Sequence, residues 1–262
     1  MIFDDIIGQD RPINRLKGYI DSRTSSGAYI FAGPQGVGKA LVARAFAKAL
    51  NCLDASSYGC GQCASCRKID NGSHPDVHTI DSSSGADIPV SQADYESCQI
   101  KISAIRQLQE DINYRPYEGR AKVFIINNAE MLNQDSSNAF LKTLEEPPPH
   151  SVIILVTARP GLLLATIRSR CRMVKFYAMA RPDLGKSLMS RTFEGEGCSA
   201  SQAHFLAYYS EGSLGIALKL KDHGLFDEKN RIIDLFCGIG TQAEDPVSLA
   251  SRQDLLVSFN VL

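Results

Sequence analysis

Four cysteines stand close together early in the chain, Cys52, Cys60, Cys63 and Cys66, with the spacing C-x7-C-x2-C-x2-C. Two-residue gaps let neighbouring thiolates converge on one ion, and Gly59 and Gly61 ease the tight turns between them. Buried, inert thiols and an iron–sulfur cluster are the alternatives. Three cysteines within seven polar, glycine-bearing residues argue against the first, and nothing nearby suggests redox work. The spacing predicts a structural zinc held by all four thiolates, since a closed site leaves no open position for catalysis. His74 and His78 are zinc ligands only in principle; with four cysteines available they are read as solvated or structural, and Cys98 as an ordinary thiol.

A second cluster precedes the cysteines. The apolar run Tyr29–Ala32 leads into Gly33-Pro-Gln-Gly36-Val-Gly38-Lys39, and an Ala/Leu-rich segment with helical spacing continues to Leu50. Strand, glycine loop, helix is the setting in which a G-x-x-x-x-G-K loop binds phosphate. The glycines let successive N–H groups turn inward at an anion, and the helix start and Lys39 add positive charge. A plain glycine turn is the alternative, but the lysine, the spacing and both flanks favour the phosphate loop. The loop is chemically incomplete, because the residue after the lysine is Ala40 where a Mg²⁺-binding Ser or Thr is expected. Further on, Lys122–Ile126 reads as a buried strand ending in Asn127-Asn128, where a P-loop ATPase carries Asp and Glu for metal and water. Glu130 is the nearest carboxylate and is read as helix-start electrostatics rather than as a displaced base. Near residue 170 three arginines, Arg168, Arg170 and Arg172, surround Ser169 and Cys171. By residue chemistry alone, Arg170 is either a surface ion-pair partner or a group for a neighbouring phosphate.

These residues need a scaffold. The chain has 262 residues, 44% apolar and 22% charged, with net charge −1, which describes a globular protein without global attraction for nucleic acid. The acidic start MIFDDIIGQD lacks the features of a secretory signal, and no apolar run approaches membrane-spanning length. Eight cysteines without export point to the cytoplasm, and to metal or free thiols rather than disulfides. Helices are predicted over Asp10–Ile20, over Ile102–Ile112, from Leu132 through Leu144, and just before Ser169. Strands are predicted over His74–Ile80, Lys122–Ile126, Ser151–Thr157 and Met173–Tyr177, with Asp81–Gln99 as a Ser/Gly/Asp-rich surface loop. Alternating strands and helices give an α/β fold with a parallel, helix-covered sheet.

Five stretches then carry a resemblance: DDIIGQ at the start, the P-loop followed by four cysteines, HPDV at 74–77, AFLKTLEEPPPH at 139–150, and Ser169-Arg170-Cys171. Over roughly residues 1–220 the chain resembles the bacterial clamp-loader ATPases of the AAA+ class, and within them the delta-prime type. The resemblance implies an AAA+ P-loop domain with a zinc-binding insert over 1–177 (cysteine module 52–66), a small helical lid over 178–221, and a partial collar-like helical segment over 222–262. It implies a stator that helps load a sliding clamp on primer–template DNA, with gamma/tau and delta subunits as partners and no membrane. Motor subunits of the family keep a complete P-loop, an acidic strand end and a sensing arginine where this chain has Gly215. Intrinsic ATP binding and hydrolysis are therefore in doubt, and Arg170 is implied to act in trans as an arginine finger. A gamma/tau-type ATPase, or a non-replicative zinc-bearing AAA+ DNA-binding module, is the alternative.

Overall fold

A computed structural model describes residues 2–54, 58–81, 99–190 and 198–236. Cys98, nearly all of the expected surface loop and the end of the expected collar segment lie outside them. The elements in chain order are α1 (Asp10–Asp21), β1 (Gly27–Ala32), α2 (Lys39–Asn51), α3 (Ala64–Asp70), β2 (Val77–Ile80), α4 (Ile102–Asp111) and β3 (Lys122–Ile126). They continue with α5 (Gln134–Glu145), β4 (Ser151–Thr157), α6 (Ala165–Arg168), β5 (Arg172–Lys175), α7 (Arg181–Ser190), α8 (Ala200–Tyr209), α9 (Leu214–Asp222) and α10 (Leu225–Phe236).

The five strands form one parallel sheet in the order β2-β3-β4-β1-β5. Every residue of β3 and β4 is buried, as expected of central parallel strands covered on both faces. The alternation of side chains divides the core in two. Tyr29, Phe31, Val123, Ile125, Val152 and Ile154 face α1 and α2, where Leu16, Val42 and Phe46 are fully buried. Ile30, Phe124, Ile126, Ile153 and Leu155 face the other way, against Ile105 of α4, Phe140 of α5 and Ile167 of α6.

The last strand is shorter than the sequence predicts, ending at Lys175 rather than Tyr177. The Phe176 N–H still reaches Ala32 O at 2.7 Å. The backbone of Tyr177 is instead engaged by Gln9, whose Nε2 donates to Tyr177 O at 2.7 Å while its Oε1 accepts from Tyr177 N at 3.4 Å. A side-chain amide thus takes the place of a strand partner and ties the N-terminal segment to the sheet edge.

Within the stretch expected to be a lid, three helices, α7, α8 and α9, pack around Leu184, Leu188, Leu206 and Ala217, with α10 following. Ser199 and Ser213 cap α8 and α9 by accepting from Gln202 N and Ile216 N.

Candidate functional site: a phosphate loop, a cysteine cluster and an outlying arginine

Gly36 and Gly38 of the phosphate loop adopt positive φ (70° and 94°), the left-handed region that glycine tolerates. Gly38 is the N-cap of α2, so the loop opens directly into a helix start. Lys39 is 7% exposed, and its ammonium donates to Gly33 O at 2.7 Å and Pro34 O at 2.6 Å. Burial lowers its pKa to about 8, with the Glu130 carboxylate acting in the opposite direction. The ammonium lies in a cavity of about 80 Å³ lined also by Gln35, Asn128, Glu130, Thr157 and Arg159.

At the end of β3 the two asparagines occupy different roles. Asn127 donates from Nδ2 to Asp81 Oδ1 at 2.7 Å, while its own Oδ1 is buried without a hydrogen-bond partner. Asn128 sits in the left-handed region, φ 48° and ψ 49°, a conformation asparagine tolerates better than most residues. Glu130 is the middle residue of a short 3-10 turn, Ala129–Met131. Its carboxylate is buried: Oε1 accepts from Ala158 N at 3.2 Å, and Oε2 has no partner. The sequence reading missed both this and the approach of Asp81. Pairing of Ile80 with Ile126 sets Asp81 beside Asn127, so the signal lay in the strand register rather than in any local motif.

The start of α9 packs on the same loop. Ser213 Oγ donates to Gln35 O at 2.8 Å, and Gly215 N–H donates to Gly36 O at 2.9 Å. A Cβ at Gly215 would lie 2.7 Å from Gly36 O, and one at Gly36 would lie 2.4 Å from Ser213 Oγ. Two glycines thus meet where neither tolerates a side chain. Beside them a cleft of about 200 Å³ runs between Ile7, Gly38, Leu41, Met179, Leu214 and Leu218.

The four expected cysteines converge. Their Sγ atoms all lie within 4.8 Å of one another, with Cys52 and Cys63 4.0 Å apart. Four thiolates about 2.3 Å from one tetrahedral zinc stand about 3.8 Å apart, so the donor set fits a single ion. Cys52 follows the end of α2, Cys63 caps α3 and Cys66 lies within it, so two helix ends fix the cluster. Backbone N–H groups already point at sulfur: Cys60 N to Cys52 Sγ at 3.3 Å, Cys63 N to Cys60 Sγ at 3.3 Å, and Cys66 N to Cys63 Sγ at 3.4 Å. Such donors favour the charged thiolate.

The histidines stay out of this cluster. His74 is 3% exposed, its Nε2 lies 3.1 Å from Ser65 Oγ, and its Nδ1 accepts from Asp76 N at 3.1 Å. His78 stacks on Phe124 at 5.0 Å.

Arg170 lies one residue beyond the C-cap of α6. Its Nε donates to Glu145 Oε1 at 2.9 Å, its Nη2 engages the same oxygen, and its Nη1 donates to Thr166 O at 2.9 Å. It does not line the cavity around Lys39 or the adjoining cleft. Arg172 behaves differently: it donates to Thr24 O and to Tyr29 Oη and lies over the Tyr19 and Tyr29 rings.

Comparison with known proteins follows the same lines. A family model described as DNA polymerase III, delta subunit, matches residues 8–180. The tau subunit of DNA polymerase III from Escherichia coli is 35% identical over 225 residues, covering 85% of this chain and 33% of that protein. The delta′ subunit from Bacillus subtilis is 30% identical over 229 residues, covering 87% of this chain and 64% of that protein. The chain therefore spans between a third and two thirds of these relatives' length. The Thermotoga maritima RuvB Holliday junction branch migration motor is similar in fold, with a TM-score of 0.55 at 17% identity, covering 84% of this chain and 62% of that one. The parallel sheet with its helical layers is an AAA+ fold. No helix among the described residues is long and apolar enough to cross a membrane.

Proposed function

The chain belongs to the DNA polymerase III delta-subunit family, and from that membership we propose that it is a clamp-loader subunit of the delta-prime type. In this reading it is a rigid cytoplasmic partner of gamma/tau and delta subunits. It assists ATP-driven loading of a sliding clamp onto primer–template DNA without hydrolysing ATP itself.

The observation that carries the reading is the seal between lid and phosphate loop. Where motor subunits would present a sensing arginine, Gly215 is pressed against Gly36, and its N–H is spent on the loop's own carbonyl. Ala40 offers no hydroxyl to a metal, and Asn127 and Asn128 offer no carboxylates at the strand end. Lys39 remains and is satisfied by two carbonyls of its own loop. Arg170, away from this cavity and partly exposed, is the group proposed to act on ATP held by a neighbouring subunit. A guanidinium there would stabilise charge spreading over the γ-phosphate oxygens, the role of an arginine finger. The four thiolates would hold a structural zinc, which joins the end of α2 to the start of α3 and supplies no chemistry beyond that.

A gamma/tau-type motor is the second reading, favoured by slightly higher identity to tau subunits, 33–35% against 30% for delta′. Steady-state hydrolysis by the isolated chain separates the two. A stator hydrolyses ATP at background rate with or without Mg²⁺. A clear Mg²⁺-dependent turnover that disappears in Lys39→Ala would establish the motor instead.

A further inference from the structure

Residues 113–121 join α4 to β3 and present two tyrosines to solvent. Tyr114 is 69% exposed and Tyr117 86%, the highest values among large apolar and aromatic side chains of the described residues. The backbone beneath them is tightly held. Asp76, fully buried, accepts from the N–H groups of Tyr117, Glu118 and Gly119 at 2.6, 2.9 and 2.7 Å. Asn51, 1% exposed, accepts from Arg120 and Ala121 at 2.8 and 2.9 Å. Five consecutive N–H groups thus end on two buried side chains, and His150 Nε2 lies 3.0 Å from Tyr114 O. A loop fixed in this way loses little conformational entropy when its tyrosines engage a partner.

The charge of the loop is equally specific. Its carboxylate, Glu118, is bridged by Lys68 of α3 at 2.7 Å. Arg115 and Arg120 are exposed and enter no ion pair among the described residues, and the same holds for Arg67, next to Lys68. In a chain of net charge −1 this is a local excess of cations around two exposed aromatic rings, with the Lys122 ammonium over the Tyr114 ring, 5.9 Å from its centroid.

We propose that this loop and the adjoining Arg67 are a binding site for single-stranded nucleic acid, with Tyr114 and Tyr117 stacking on bases and Arg67, Arg115 and Arg120 contacting phosphates. Stacking needs bases whose faces are free, which a duplex withholds, and the unpaired arginines suit a polyanion. The site uses neither the phosphate loop nor Arg170, so its failure would leave the proposed subunit role untouched.

The test is fluorescence anisotropy of the full chain with a labelled oligo-dT of about 20 nucleotides at low salt. The expected result is saturable binding that weakens with salt at a log–log slope of about −2, for three phosphate contacts by Arg67, Arg115 and Arg120. Tyr114→Ala with Tyr117→Ala should weaken it about tenfold or more at unchanged slope. Arg115→Gln with Arg120→Gln should reduce the slope to about −0.7. All four side chains are exposed, so unchanged thermal unfolding serves as the folding control. Absence of binding, equal binding of a blunt duplex, or variants that bind like the parent would each overturn the proposal, leaving the patch as a protein contact or plain surface.

Discussion

Arg170 holds its guanidinium against a carboxylate of its own chain, Glu145, whose side chain is 49% exposed. An exposed pair of this kind contributes little to stability, on the order of 0–1 kcal/mol, so it can open when a phosphate approaches. Arg170→Ala should therefore leave unfolding of this chain nearly unchanged, yet lower the ATPase and clamp-loading rates of a reconstituted complex. Single fingers contribute roughly 10³–10⁵ in GTPases, and one site among several should show a smaller overall effect. Arg170→Lys should rescue poorly, because an ammonium lacks the planar fork. Arg168→Ala is the control for general charge. Arg172→Ala is not, since Arg172 braces Thr24 O and the Tyr29 ring and its loss should destabilise the edge of the sheet. Equal loading rates for Arg170→Ala and its parent would make Arg170 a surface cation. In the sequence the three arginines were indistinguishable by chemistry, and only their partners separate them.

Elements, rather than residues, carry the next two expectations. The contact between α9 and the phosphate loop rests on Gly36 and Gly215 without side chains. Gly215→Ala places a methyl about 2.7 Å from a carbonyl oxygen, so the lid must shift, and destabilisation of about 1–3 kcal/mol is expected in urea titrations. Gly215→Arg should for the same reason fail to restore nucleotide sensing; tight Mg²⁺-ATP binding by this variant would contradict the seal. The turn into β2 gives a pH dependence. Burial holds the His74 pKa below 6.5, against the pull of Glu118 and Asp76. For Asp76 burial raises the pKa, but three backbone N–H bonds prevail and hold it below 3.8. In both cases the native state binds protons less readily than the unfolded chain. Stability should therefore fall with acidification first below about 6.5, from His74, and again as pH drops through 3.8 and below, from Asp76. His74→Asn should remove the first step of urea midpoint against pH and leave the second. Most elements were legible, because β1, β3 and β4 are short apolar runs and α4 and α5 have clean helical spacing. The end of β5 was not, because what stops it is Gln9, far away in sequence.

At the scale of the whole molecule the cysteine cluster is a clasp between regions. Asn51, next to Cys52, holds the segment leading into β3; Ser65, next to Cys66, reaches His74; and Lys68 bridges to Glu118. Folded protein prepared without added metal should contain one zinc per chain, lost only under denaturing or strongly chelating conditions, and elemental analysis near zero would refute the assignment. Cys63→Ser should increase hydrogen exchange across 51–68 and also at Tyr117–Ala121, while β1 and β4 stay protected. The spacing of the cysteines was readable from sequence as a metal motif. The clasp was not, since two of its three links, Asn51 to Arg120 and Ala121 and Lys68 to Glu118, join segments 50 to 70 residues apart.

The paired glycines also bear on how reversible the fold's present state is. Replacing Ala40 by a hydroxyl residue alters one exposed side chain, whereas a carboxylate at position 127 would exchange the donor to Asp81 Oδ1 for a like charge. Installing any side chain at position 215 first requires α9 to lift from the loop, which breaks the Gln35 and Gly36 hydrogen bonds together. Repairs made one at a time therefore gain nothing until the lid has moved, and moving the lid alone only weakens the protein. Such an arrangement works as a ratchet: if the chain is the stator proposed above, a route to nucleotide turnover would have to pass through intermediates in which the contact between α9 and the loop is already broken.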